Sequence, residues 1–249
     1  MEFGVDEAGK GPVLGSMFVA AVRAPRDAVP AGVDDSKRLA DERRERLAER
    51  LRADERVRIA VTEVPSARID AGNTNDLTVA AHAEALSAVV RDGDDGLCDA
   101  GDVDADRFAA RVADRLGADT SIRARHGADA DDPLVAAASV LAKSAREAHV
   151  ETLAEQFGTV GSGYPSDPTT RQFLREHVES TGSLPDCATG RGPPARTCSR
   201  PTSSPPSRSS DRGPFSAGRP RRLSQPPEYC PLYAHPYRRR DRLHRRVAL

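Results

Sequence analysis

The chain has 249 residues, 38% of them hydrophobic, which is enough to bury a core over part of its length. Its formal net charge of −1 hides two opposite halves: residues 187–249 carry 14 Arg and no Lys against three acidic residues, which leaves a net of −12 on residues 1–186. The four cysteines have no CxxC or Cys/His ligand spacing, which excludes a zinc ribbon or disulfide framework, and no apolar run approaches the ~18 residues of a membrane span.

Residues 3–5 and 13–22 are short, apolar and bounded by Gly and Pro, which predicts two strands joined at a Gly-rich turn. Residues 41–54 read as a charged amphipathic helix with Leu47 and Leu51 four apart, and residues 56–64 as a strand alternating Val57, Ile59 and Val61. A helix is predicted over 73–90, opened by an Asn/Thr/Asp cluster, then a minimal strand at 97–99 and a helix at 104–116 carrying Phe108, Val112 and Leu116. Residues 120–125 are a further short strand. Pro133 suits the first turn of a long helix over 134–157, and a last helix starts near Ser166, Asp167 and Pro168 and runs to Val178. Strands that come first and then alternate with helices define an α/β class with a mixed sheet. Beyond about Thr189 periodicity stops: the last 63 residues hold 11 Pro and read as a disordered basic tail.

The body is acidic and keeps only three lysines, Lys10, Lys37 and Lys143. Such a surface holds water well in high salt, and it lacks the basic footprint common to nucleic-acid proteins. The N-terminus has no basic region followed by an apolar stretch, so a soluble cytoplasmic protein without membrane association is expected.

Asp6 and Glu7 close the first strand, where side chains project past a sheet edge. Neighbouring strand residues face opposite ways, so both serve one site only if the chain turns there, and Gly9 and Gly11 are placed to turn it. Taken alone, DEAGKGP is an acidic turn. It does not fit G-x-G-x-x-G, and Lys10 is misplaced for a P-loop, which argues against nucleotide binding.

Five ordered motifs extend the reading: DEAGKGPVLGS, the triplet Asp35-Ser36-Lys37, Asp99 in CDAGDVDADRF, Asp129 in RHGADADDPLVAAASVLAKSARE, and GSGYPSDPT. Together they resemble ribonuclease HII in its archaeal form, over residues 1 to about 186. The resemblance implies a ribonuclease H-like core over 1–150, a small helical extension over 151–186, and four metal-binding catalytic carboxylates at Asp6, Glu7, Asp99 and Asp129. Asp99 directly follows apolar strand residues, whereas Asp102 and Asp104 read as solvated caps of the next helix. Asp131 is the alternative to Asp129. Carboxylate oxygens suit two Mn²⁺ or Mg²⁺ ions, and such a pair, roughly 4 Å apart, clamps the attacking and leaving oxygens of phosphoryl transfer.

The activity implied is endonucleolytic cutting of RNA in RNA–DNA hybrids, including 5′ of ribonucleotides embedded in duplex DNA, by a monomeric enzyme, leaving 3′-hydroxyl and 5′-phosphate ends. The resemblance also implies substrate contacts by Gly9, Lys10 and Gly11, by Tyr164, whose ring packs on a deoxyribose, and by Lys37 and Lys143 on phosphates. Lys10 departs from the family's usual Arg, keeping the charge and losing the planar fork. Ser139 reads as a packing residue. His82, His126, His149 and His177 have no carboxylate or Cys at ligand spacing and read as structural or solvated.

The family continues past Leu184-Pro185 into an Arg-Ser-Trp segment and a terminal helix, and this chain does not. Reading the codons of Thr189 to Gly192 one base out of frame permits Arg-Ser-Trp, followed by an acidic, Ala-rich stretch. A frameshift near Ala188 or Thr189 is therefore expected, with 187–249 out of frame. The competing reading is a catalytically impaired product that binds nucleic acid only through its basic tail.

Overall fold

A computed structural model describes residues 1–33 and 41–190. Lys37, with its Asp35-Ser36 neighbours, and residues 191–249 lie outside the described residues.

Strands β1 (Glu2–Ala8) and β2 (Met17–Ala24) pair antiparallel, and β3 (Arg58–Val64) pairs antiparallel with β2 at one edge. On the other side of β1 lie β4 (Asp95–Asp99) and β5 (Ser121–Arg125), both parallel to their neighbours. The order β3-β2-β1-β4-β5 is the mixed sheet expected from the sequence. Helices α1 (Asp41–Ala53) and α5 (Pro133–Phe157) accompany one face, and α3 (Thr74–Ser87) and α4 (Ala105–Ala113) the other.

β2 shows why two layers of helix are needed. Its Ala20, Val22 and Ala24 join Leu47, Leu51, Leu134 and Leu141 in one core, while Met17, Val19 and Ala21 join Val79, Leu86 and Phe108 in a second. Successive strand residues point to opposite faces, so a continuous apolar run must be covered on both. Gly4 of β1 lets α5 lie directly on the sheet: a Cβ there would stand 2.2 Å from the Leu134 carbonyl carbon.

The helices begin where their caps dictate. Asp132 accepts from the amides of Leu134 and Val135 ahead of Pro133, and Asn73 and Asp104 cap α3 and α4 in the same way. Helix α6 (Pro168–Thr181) is capped by Asp167 and ends at Gly182 in the left-handed region. Phe173 and Leu174 of α6 pack against a third cluster built from Leu14, Leu153, Val160 and Ala188.

Several boundaries differ from the sequence reading. Residues 13–16, expected in the second strand, form a loop, because the amides of Val13 and Leu14 both donate to the carbonyl of Gly163. The short helix α2 (Ser66–Ala71) was not anticipated. Around edge strand β3 the alternation read from Val57, Ile59 and Val61 holds for Val57 and Ile59, which pack on one core, but Val61 is exposed, and Val64 enters the core on the opposite face. Residues 187–190, assigned by composition to the tail, are instead seated on the body. Gly15 donates to the Cys187 carbonyl, Thr189 to that of Val13, and Ala188 is fully buried. Among the described residues no helix is long and apolar enough to cross a membrane.

Candidate active site

The parallel pairing of β1 and β4 sets Val5 beside Cys98, so Asp6 and Asp99 leave the same end of the sheet side by side. β1 runs on to Ala8, and the turn comes only afterwards, at Gly9 and Gly11 with φ of +85° and +76°. The turn expected of Gly9 and Gly11 is present, but it follows both carboxylates and does not bring them onto one face. Instead the two carboxylates straddle the sheet end, Asp6 beside Ser139 of α5 and Glu7 beside His82 of α3. Asp99 interacts electrostatically with both.

Asp6 is buried, and its carboxyl is pushed up to about 8 by loss of solvent, then by the charges of Glu7 and Asp99, with the Ser139 hydroxyl opposing. Burial also raises Asp99, helped by Glu7 and Asp129, although its Oδ1 accepts from the Ala128 amide at 2.9 Å. Burial would lift Glu7 too. There it is outweighed by the His82 hydrogen bond of 2.9 Å and by the Lys10 ammonium at 3.7 Å, so Glu7 lies below its ordinary value.

Asp129 is buried in a single 3-10 turn, Ala128–Ala130, between β5 and α5, and it raises the Asp99 carboxyl. Asp131 is exposed and paired with Arg125 at 3.1 Å. Asp104 is the solvated cap expected of it. Asp102 is not: it is buried, accepts from the Val103 amide and pairs with Arg107 at 3.0 Å. Its charge is matched by Arg107, whose side chain is itself half-exposed.

The Gly9–Gly11 loop lies against the opening of the site. Lys10 folds inward, donating to the carbonyl of Gly101 beside Glu7. Tyr164 stands across from the loop with its ring 4.4 Å from the Arg146 guanidinium carbon. Lys143 is half-buried on α5, nearly one turn before Arg146.

Sequence reasoning missed three residues. His82, read as lacking a carboxylate partner, is fully buried against Glu7, with its ring edge-on to Phe108. Its partner is 75 residues away in the chain, so no local spacing reports it. The available signal was its place with Val79 and Leu86 on the apolar face of α3. Ser139 is a packing residue that also faces Asp6. Arg146, three and seven residues after Lys143 and Ser139 on the buried stripe of α5, is itself buried. His126 is exposed and, among the described residues, lies 3.4 Å from the Val103 carbonyl.

The donor set fits hard divalent cations. Asp6 and Asp99 are raised by burial and by each other's neighbours, the condition of clustered carboxylates short of positive charge. Among the described residues no three His, Cys, Asp or Glu side chains already converge on one point. Glu7 is held by His82 and Lys10, and Asp6 by the Glu7 amide at 2.7 Å.

The family profile described as Ribonuclease HII matches residues 3–190. The ribonuclease HII of Natronomonas pharaonis is 65% identical over 184 residues, spanning 74% of this chain and 87% of the relative. That of Haloarcula marismortui is 58% identical over 190 residues, spanning 76% and 90%. Among solved structures, the ribonuclease HII of Archaeoglobus fulgidus, in complex with PCNA, superposes with a TM-score of 0.69 at 38% identity, over 77% of this chain and 93% of that one. The ribonuclease H2 of Pyrococcus horikoshii matches with a TM-score of 0.69 at 33% identity, over 75% and 91%.

Proposed function

The chain belongs to the ribonuclease HII family, endoribonucleases of the ribonuclease H type, and from that premise we propose that it cuts the RNA strand of RNA–DNA hybrids and duplex DNA 5′ of single embedded ribonucleotides. The observation that carries the reading is the gathering of Asp6, Glu7, Asp99 and Asp129 at one sheet end, with two of them raised by burial and mutual charge. Asp129 is preferred to Asp131 as the fourth ligand because it is buried and acts on Asp99, whereas Asp131 is spent on a surface pair with Arg125.

Asp6, Glu7, Asp99 and Asp129 would hold two Mn²⁺ or Mg²⁺ ions, which when bound supply activation of water and charge stabilisation of the leaving 3′-oxygen. The chain's own residues place the scissile phosphate. The Gly9 and Gly11 backbone approaches the sugar closely, since neither residue presents a side chain, and the 2′-hydroxyl is the group that separates RNA from DNA there. Tyr164 offers a ring for the sugar beyond the junction. Lys10 and Lys143 supply charge for the phosphates; Lys37, proposed for the same task, lies outside the described residues. His82 and the Gly101 carbonyl hold Glu7 and Lys10 until substrate and ions draw them away.

The test is a duplex with one ribonucleotide, incubated with the purified chain with and without divalent ions. The expected result is a single cut 5′ of the ribonucleotide, only with ions, giving a 3′-hydroxyl and a 5′-phosphate. Cleavage in excess chelator, or a cyclic-phosphate end, would refute the mechanism.

A further inference from the structure

Arg146 has its guanidinium inside the body with no carboxylate paired to it among the described residues. The residue is only 8% exposed, and its Nε is buried without a hydrogen-bond partner. Burial without an opposing charge pulls it below its ordinary value. An unpaired buried cation is a costly way to fill space, and an apolar side chain would do that task better. Its contacts give it another purpose.

One edge of the guanidinium meets the loop that carries Tyr164: Nη2 donates to the Ser162 carbonyl at 2.9 Å, and the plane lies over the Tyr164 ring, 4.4 Å from its centre. The other edge meets the Gly9–Gly11 loop. A Cβ on Gly9 would stand 2.7 Å from Nε and 2.9 Å from Cδ, and one on Gly163 would stand 3.0 Å from Nη2. Gly9 and Gly163, with φ of +85° and +81°, thus open the channel through which Arg146 passes. Backbone bonds stitch the same two loops together just behind it, from Val13 and Leu14 to the Gly163 carbonyl.

We infer that Arg146 is the positioning residue that holds Tyr164 and the Gly9–Gly11 loop at a fixed separation, and thereby sets the preference for a ribose over a deoxyribose at the cut. The inference rests on the sugar-sensing role proposed above for those two elements. Lys at this position keeps the charge and can still donate to Ser162, but it lacks the plane that covers the Tyr164 ring while one edge bonds Ser162.

The test measures equilibrium binding of two duplexes, one with a single ribonucleotide and one all-DNA, in an Asp6→Asn background, in which cutting is slow on the timescale of binding. Arg146→Lys is expected to lower the ratio of the two affinities about tenfold, through the ribonucleotide duplex, with the melting temperature nearly unchanged. Tyr164→Ala should lower it comparably, and the double variant should lose no more than the worse single one, as for residues acting in series. An unchanged ratio, additive losses, or equal weakening toward both duplexes with a fall in melting temperature would each overturn the inference. If Arg146→Lys does not fold, Arg146→Gln, which keeps a planar donor for Ser162, is read by the same criteria. A parent protein that binds both duplexes equally would refute the sugar-sensing reading itself, and that result shows in the control before any Arg146 variant is measured.

Discussion

Asp6 is the residue on which stability and chemistry conflict most. Its carboxyl is buried beside Glu7 and Asp99 and accepts from the Glu7 amide, with the Ser139 hydroxyl nearby. Asp6→Asn removes the charge and keeps the shape. It should lower the cleavage rate on the order of 10³-fold, since the site loses a ligand worth several kcal/mol of charge stabilisation. The same change should raise the melting temperature of the protein in chelator at neutral pH, measured calorimetrically, because folding no longer forces a carboxyl raised to about 8 to take up a proton. A second residue-scale prediction concerns His82. Its bond to Glu7 fixes that carboxylate from outside the proposed ligand set, and partners of this kind change activity roughly 10- to 100-fold when removed. His82→Ala is expected to raise the metal concentration needed for half-maximal cleavage, and an unchanged metal titration would argue against the role.

At the scale of elements, the parallel register of β1 with β4 is what brings the carboxylates together, and Asp94 pins its far end. Just before β4, Asp94 accepts from Arg23 of β2 at 2.6 Å and from the Arg91 amide, and pairs with the N-terminal ammonium at 3.0 Å. Burial disfavours its charge, but these donors outweigh that and hold the carboxyl near 2, against an ordinary 3.8. A lowered folded-state value contributes stability that is complete above the unfolded value and disappears as pH falls from about 4 to about 2. Asp94→Asn should therefore cost about 2 kcal/mol at neutral pH and flatten the acid limb of a urea-unfolding series over that window. A variant that keeps the parental acid dependence would contradict the assignment.

For the whole molecule, the question is where the working chain stops. Residues 187–190 are part of the body: Thr189 donates from its amide to Val13 and from its hydroxyl to the Pro12 carbonyl, and Gly190 donates to Asp70. They hold the 12–15 loop that follows Gly9–Gly11. A chain ended after Gly190 should cut a hybrid duplex as the full chain does, whereas one ended after Asp186 should lose melting temperature and activity together. If the shorter chain is as active as the longer, these contacts carry no weight. The proposed frameshift belongs to the same boundary, and resequencing the gene around codon 188 tests it, an intact frame being the refuting result. The family match itself ends at residue 190.

The α/β class, the first strand with its acidic pair, the strand end bearing Asp99 and the helix starts at Asn73, Asp104 and Asp167 were legible from the sequence because periodicity, turn residues and capping side chains act within a few positions of each other. Ordered motifs carried the family in the same way. What local pattern does not encode is which distant groups meet in the interior. The loop at 13–16 replaced strand because its amides found Gly163, His82 gained a carboxylate 75 residues away, and Asp102 was neutralised by Arg107 and Arg111. Arg146 acquired its place between two loops only when α5 crossed the sheet. A buried polar group takes its meaning from its partner, and only the tertiary structure supplies the partner.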